Sequence, residues 1–223
     1  MASFAQSWIP LGTLGFSEGE SRFISLAFNS TAESIERPFV AYVGYANSRK
    51  ATVMKFDGTN WGSLGNPGFP EGVVRSTSLA FSSNGEAHVA YQDESNSNKA
   101  TVMKFNGKNW IPVGMKCFSS SIAAEISLVF SPLGEPYVSY IHHETGETSL
   151  RISLMKFNGT EWVVVGISGF SLGKVSQIAF AFSPVTDAPY VTYNEYANSF
   201  KETVMKFDGN NWITVGYGRV FSR

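Results

Sequence analysis

The sequence predicts an all-β chain folded as a β-propeller, with four complete four-stranded antiparallel blades and one extra outer strand at the N-terminus. Three observations lead there. All five tryptophans stand in one phrase, SWIPLG at Trp8, NWGSLG at Trp61, NWIPVG at Trp110, EWVVVG at Trp162 and NWITVG at Trp212, so the chain repeats about every 50 residues, a period that marks solenoids, propellers and arrays. Each period holds four segments of four or five residues, rich in Val, Ile, Phe, Tyr and Trp and bounded by Gly, Asn, Ser or Pro, which is how short strands read. Between the third and fourth segments lies Asp57-Gly58, Asn106-Gly107, Asn158-Gly159 or Asp208-Gly209, a dipeptide that supplies the positive φ of a tight hairpin.

The segments are lettered A to D in chain order. Strand A is ISLAF ending at Phe28, TSLAF at Phe81, ISLVF at Phe130 and IAFAF at Phe182. Strand B is FVAY ending at Tyr42, HVAY at Tyr91, YVSY at Tyr140 and YVTY at Tyr193. Strand C is VMKF from Val53, Val102 and Val204, and LMKF from Leu154; strand D is the tryptophan phrase. A sheet this small buries neither face alone, so neighbours must pack face to face. By the two-residue period Met54 and Phe56 point to one side of strand C and Val53 to the other. With A and C running up and B and D down, the A–B and C–D turns share one face of the disc, and the B–C and D–A connections share the other. The D–A connection has one length throughout, from Gly12 to Phe28, Gly65 to Phe81, Gly114 to Phe130 and Gly166 to Phe182. It also has its own phrase, GFSEG at Gly15, GFPEG at Gly68, CFSSS at Cys117 and GFSLG at Gly169, as a packed structural segment would. Length varies instead in the A–B connection of the first repeat (NSTAESIERP) and the B–C connection of the third (IHHETGETSL).

One domain is expected: an extra strand over 1–12, repeats over 13–65, 66–114, 115–166 and 167–216, and a tail over 217–223 in which Phe221 stands where Phe16 does. A four-bladed ring then has one strand D too many, and a five-bladed ring lacks A, B and C of its last blade. The extra strand is expected either to close the ring or to be exchanged with another chain in a homo-oligomer, because an unpaired edge invites pairing. A chain of 223 residues buries roughly 70% of its unfolded surface and needs no staple. The 17 basic and 18 acidic residues and the 43% hydrophobic content exclude a disordered chain and a basic nucleic-acid surface. The single cysteine, Cys117, excludes an internal disulfide framework and any metal site built from thiolates. No signal peptide or membrane-spanning stretch is evident, so a cytoplasmic or non-classically exported protein without membrane contact is expected.

No GxSxG, HExxH, Walker loop or GxGxxG motif is present, and no catalytic residue or cofactor is expected. His142, His143 and Glu144 have metal-ligand chemistry, but adjacent residues of an extended segment point apart, and no metal site is assigned. The repeated tryptophans read as wedges on the outer strands. The DGTNW and DGNNW turns resemble the repeats of small β-propeller lectins of the fucose-binding type and, more loosely, the turn motif of sialidase propellers, with Lys55, Lys104, Lys156 or Lys206 where the sialidase motif has Ser or Thr. Nearly the whole chain resembles bacterial β-propeller repeats of the MKFDGxxWxxVG kind, which implies binding or surface-display modules without one common activity.

Variable connections on a rigid scaffold usually carry binding specificity. The B–C loops read YVGYANSRK, YQDESNSNK, YIHHETGETSLR and YNEYANSFK. They offer Tyr45, Asn47 and Lys50, then Gln92, Asp93, Asn96 and Lys99, then His142, His143 and Arg151, then Asn194, Glu195, Tyr196 and Lys201, the amides, carboxylates and aromatics of a shallow carbohydrate pocket. The expected function is therefore non-catalytic, multivalent, lectin-like carbohydrate binding on the face of the B–C and D–A loops. The alternatives are a protein-interaction scaffold and a hydrolase or isomerase with an axial site.

Overall fold

The computed structural model describes residues 9–29, 37–143 and 150–216. Strands β1 (Ser21–Phe28), β2 (Pro38–Gly44), β3 (Lys50–Phe56) and β4 (Trp61–Ser63) form the first blade, and β5 (Val74–Phe81), β6 (Ala87–Asp93), β7 (Lys99–Phe105) and β8 (Trp110–Pro112) the second. The third blade is β9 (Ala124–Phe130), β10 (Pro136–His143), β11 (Leu150–Phe157) and β12 (Trp162–Val164), and the fourth is β13 (Val175–Phe182), β14 (Pro189–Glu195), β15 (Lys201–Phe207) and β16 (Trp212–Thr214). Every pairing is antiparallel between chain neighbours. Among the described residues no helix is long and apolar enough to cross a membrane.

The C–D turns form because the two halves of each dipeptide do different work. Gly58, Gly107, Gly159 and Gly209 take φ between 92° and 107°. The preceding side chain accepts two backbone N–H bonds: Asp57 Oδ1 from Thr59 and Asn60, both at 2.8 Å, and Asp208 Oδ1 from Asn210 and Asn211 at 2.9 and 2.8 Å. These bonds favour the ionised carboxyl and hold Asp57 and Asp208 below the ordinary carboxylate range.

The inner strands pack in series, β1 on β5, β5 on β9 and β9 on β13. Each has a bulge whose central residue is left-handed although none is glycine: Phe23, Ser76, Glu125 and Gln177, with φ of 54°, 52°, 48° and 51°. Two of these side chains reach the next blade's inner strand, Ser76 Oγ accepting from Ile126 N at 3.2 Å and Glu125 Oε2 from Ile178 N at 3.1 Å. Apolar cores fill the three blade junctions. Val53, Val43 and Ala41 meet Leu79, Val89 and Tyr91 between blades one and two, while Met54 faces the other way, towards Phe16 and Trp61.

One clasp recurs at each junction. Trp110 Nε1 donates to Leu64 O at 3.0 Å, Trp162 Nε1 to Val113 O at 2.8 Å and Trp212 Nε1 to Val165 O at 3.1 Å. In each case a strand-D indole holds the end of the preceding blade's outer strand. Phe69, Phe118 and Phe170 of the D–A connections stack on these indoles at 4.3, 4.3 and 4.0 Å, so the constant phrase of those connections is a packing element. The carbonyl is reached because glycine follows it. A Cβ on Gly114 would stand 2.6 Å from Phe157 Cε2 and 3.4 Å from Trp162 Cδ1, at φ +67°.

The N-terminal segment plays the same part for the first blade. Leu11 O accepts from Trp61 Nε1 at 2.9 Å, and Phe16 stacks on Trp61 at 4.2 Å. Trp8 lies outside the described residues, and residues 9–12 take up this position without forming a strand. The blades are an open arc. Ile24, Leu26 and Phe28 of β1 are 67%, 60% and 51% exposed, whereas Leu79 and Leu128, which match Leu26 in the next two blades, are 5% and 3% exposed. The long first A–B connection, the third B–C connection and Phe221 fall at 30–36, 144–149 and 217–223, outside the described residues.

Replacing Trp110 by Phe keeps the stack on Phe69 but strands the Leu64 carbonyl, and is expected to cost about 1–3 kcal/mol in urea unfolding. Gly114→Ala adds the Phe157 clash to an unfavourable φ and is expected to cost as much or more. An unchanged urea midpoint in both variants would show that the clasp does not hold the blades.

Candidate functional site

The expected B–C residues do not make one continuous surface. Strand B runs past its tyrosine, so alternate residues of the supposed loop point inward. Gln92, Asp93 and His142 are buried at 9%, 6% and 2% exposure, which corrects the expectation of surface contacts. His142 has both ring nitrogens in hydrogen bonds, Nδ1 with His143 O at 3.0 Å and Nε2 with Ser153 Oγ at 2.8 Å, while His143 is exposed. The two histidines therefore point apart, and Glu144 lies outside the described residues. Lys50, Lys99 and Lys201 open the third strands of their blades, and Arg151 stands second in β11. Asn47 and Asn96 sit in the loops, Asn96 donating to Asp93 Oδ2 at 2.8 Å. Tyr45 lies under the Arg22 guanidinium at 5.2 Å and Tyr196 under the Lys174 ammonium at 4.6 Å. Glu94 of the second blade pairs with Arg49 across the first junction at 2.5 Å and with Arg75 of its own blade at 2.9 Å. The first and fourth blades keep their whole groups half-buried or exposed, Tyr45, Asn47 and Lys50 in one and Asn194, Glu195, Tyr196 and Lys201 in the other, as are Asn96 and Lys99 of the second, and Asn194 Nδ2 donates to Glu202 Oε1 at 2.5 Å.

The clefts lie on the opposite face, between the A–B and C–D turns. Between blades one and two a cleft of about 380 Å³ is lined by Phe39 and Lys55 from one blade and Phe81, Glu86, Phe105 and Asn106 from the next. Between blades three and four a cleft of about 310 Å³ is lined by Glu135, Tyr137 and Lys156 and by Phe182, Asp187 and Phe207. At the free side of blade four a third, of about 440 Å³, is lined by Tyr190, Lys206, Asp187, Phe207 and Asp208. Each holds the aromatic residue near the start of strand B, the strand-C lysine and an acidic residue, which comes from the next blade in the first cleft and from the same blade in the other two.

Two of the cleft lysines are engaged. Lys156 Nζ bonds Glu135 Oε1 at 2.9 Å, which raises the lysine pKa, and Tyr137 Oη donates to Glu135 Oε2 at 3.4 Å. Burial, with Glu135 adding to it, pushes the Tyr137 phenol up, so it stays a neutral donor. Lys55 lies 5.6 Å over the Phe39 ring. At the junction of blades two and three the matching position is His88. Its imidazole is 5% exposed, packs edge-on against Phe130 at 4.9 Å and bonds Glu86 O through Nδ1 at 3.0 Å. The sequence carried a signal for these clefts, a lysine at one place in every copy, Lys55, Lys104, Lys156 and Lys206. Trp61, Trp110, Trp162 and Trp212, by contrast, each have a stacked phenylalanine and a committed N–H, and the last three are 8%, 8% and 5% exposed. They are structural.

No family model and no curated protein matches the chain. Solved structures do. A six-bladed β-propeller fungal lectin, from Aleuria aurantia, superposes with a TM-score of 0.63 at 14% identity over 91% of this chain and 65% of that one. The chain folds as propeller blades. It spans about two thirds of the lectin's length, and the same lectin has been solved with α-methyl-L-fucoside, at a TM-score of 0.61, 15% identity and coverage of 96% and 67%. A thermostable family-43 glycoside hydrolase matches at a TM-score of 0.55 and 13% identity over 96% of this chain and 76% of that one. At such identities these likenesses concern the propeller architecture.

Burial holds the His88 pKa below its ordinary 6.5. The unfolded chain therefore takes up this proton more readily than the folded one, and stability falls as pH drops through about 6.5. The urea midpoint is expected to decline between pH 7.5 and 5.5 and to decline less in His88→Phe; equal declines would remove His88 as the cause.

Proposed function

We propose that the protein is a multivalent carbohydrate-binding module whose ligands sit in the clefts of the A–B and C–D face. What carries this is the recurrence of one cleft at three places, each with an aromatic residue, a lysine and a carboxylate: Phe39, Lys55 and Glu86; Tyr137, Lys156 and Glu135; Tyr190, Lys206 and Asp187. An aromatic ring covers the C–H face of a sugar, and a few fixed polar groups meet its hydroxyls, which is how small polar ligands are oriented in shallow sites. Lysine and carboxylate together make the site amphoteric, able to donate to and accept from neighbouring hydroxyls. Weak sites repeated on one rigid face gain avidity on a clustered glycan. Fold relatives that include a lectin solved with a fucoside support the ligand class. The ligand face is then the opposite of the one that the B–C loops suggested.

Glycoside hydrolysis is a second reading. It is favoured by Glu135 and Asp187 lining one cleft from two blades and by the family-43 fold relative, since hydrolysis of this kind uses two carboxylates flanking the scissile bond. In the first cleft the corresponding Glu86 is tied to Lys104 at 3.3 Å, as a positioning group would be.

Titration with the sugar that a glycan array selects is expected to give more than one site per chain. Tyr190→Ala and Lys206→Ala are each expected to remove one site and leave the others. A single site, or no array hit, would overturn multivalent binding, and turnover of aryl glycosides lost in Glu135→Gln would establish the second reading.

Exchange of residues 1–12 between chains would reuse the Leu11 contact now made to Trp61 within one chain. Light scattering is expected to show an oligomer that becomes a monomer when these residues are deleted; a monomer in both cases removes exchange.

A further inference from the structure

We propose that the outward side of blade one is an interface for a second copy of this chain, which docks by the same side about a two-fold axis beside Leu26. Ile24, Leu26 and Phe28 form an exposed apolar row along β1, whereas Leu79 and Leu128, at the place of Leu26, are buried against the preceding blade. Residues 9–16 lie on the same side, where Phe16 packs against Val40, Tyr42 and Met54, and they leave Ile9, Leu11 and Leu14 78%, 53% and 78% exposed. At roughly 100 Å² a side chain these six residues offer on the order of 500 Å² of apolar surface. A specific interface buries roughly 800 Å² a side, about 60% of it apolar, so the patch has the size of one. Arg22, paired with Glu20 at 2.9 Å, stands at its end as a polar rim.

The repeat itself suggests another occupant, blade four of a second copy stacked head to tail, and three features oppose it. First, the free side of blade four is polar where the same side of the other blades is packed. Glu202 stands at the place of Ala51, Ala100 and Ile152, all fully buried at their junctions, and Asn194 at the place of Val43 and Ile141. Glu202 is already satisfied within its blade, accepting from Asn194 Nδ2 at 2.5 Å and Thr192 Oγ1 at 3.5 Å, as in the polar outer face of a terminal repeat. Docking an apolar strand there would desolvate that carboxylate without a cationic partner. Second, the inner-strand serine that receives the next blade is missing. Ser25 Oγ accepts from Leu79 N and Ser78 Oγ from Leu128 N, both at 2.9 Å, but blade four has Ala179 at this place. Third, the clasp is taken, since Trp61 Nε1 already donates to Leu11 O. One end of the arc is therefore polar and self-satisfied, and the other is apolar and uncovered. The surface that matches an uncharged apolar row is the same row on another copy, and a two-fold interface uses one patch on both partners. An axis through the middle of the row sets Leu26 against Leu26.

Sedimentation equilibrium of the full chain is expected to give the mass of a dimer. Leu26→Glu, at an exposed position that leaves the circular dichroism spectrum unchanged, is expected to weaken dimerisation at least tenfold. In a Cys117→Gly chain, Leu26→Cys is expected to form a disulfide with itself across the axis under mild oxidation, even where Leu26→Glu folds poorly. A monomeric parent chain would overturn the interface. So would a dimer that Leu26→Glu leaves intact and deletion of residues 1–12 abolishes, the result that strand exchange gives. A Leu26→Cys chain that cross-links only when mixed with a Thr192→Cys chain would establish head-to-tail stacking and overturn it as well.

Discussion

Each blade's outer strand has three residues, too few for its own ladder to hold it, and in the first three blades the indole N–H of the next blade's tryptophan supplies the missing bond. That donation onto Leu11, Leu64, Val113 or Val165 O sets how blades meet. Glycine after the carbonyl lets the ring approach, a connection phenylalanine covers the indole face, and the strand-C phenylalanine packs beside it, tilted at 5.4 to 5.6 Å. The indole is thus used on its face and at its nitrogen at all three junctions.

The same clasp decides which face is open. On the B–C side the D–A connection runs back along the third strand of the blade it leaves, Phe69 N bonding Ala51 O, Phe118 N bonding Ala100 O and Phe170 N bonding Ile152 O, and it fills the space between blades. On the other side the A–B and C–D turns meet, and clefts remain beside Phe39, Tyr137 and Tyr190, while Phe39, His88 and Tyr137 each meet the next blade's inner-strand phenylalanine edge-on, Phe81, Phe130 and Phe182, at 4.8, 4.9 and 4.9 Å. A repeat therefore offers chemistry by what recurs, as the strand-C lysine does in every blade.

Strands, turns and the repeat were legible in the sequence because their causes are local. Alternating β-branched and aromatic residues make strands, and Asp-Gly or Asn-Gly makes the hairpin within four residues. The spacing of five tryptophans carries the blade count. The bulges at Phe23, Ser76, Glu125 and Gln177 were not legible, since four unlike side chains share one conformation. Bonds such as Ser76 Oγ to Ile126 N link strands about 50 residues apart. The inward turn of Asp93 and His142 was hidden as well, because strand B ends only where the next connection stops pairing with its blade.

By itself the sequence determined an all-β propeller of four blades, with the tryptophan phrase as its unit, because secondary structure and period are written in neighbouring residues. Only the tertiary structure decided that the arc stays open at β1, that Trp61, Trp110, Trp162 and Trp212 are clasps, and that the clefts described face away from the B–C loops. Those outcomes depend on which surfaces meet between blades, and a contact between residues fifty positions apart has no counterpart in any short stretch of sequence.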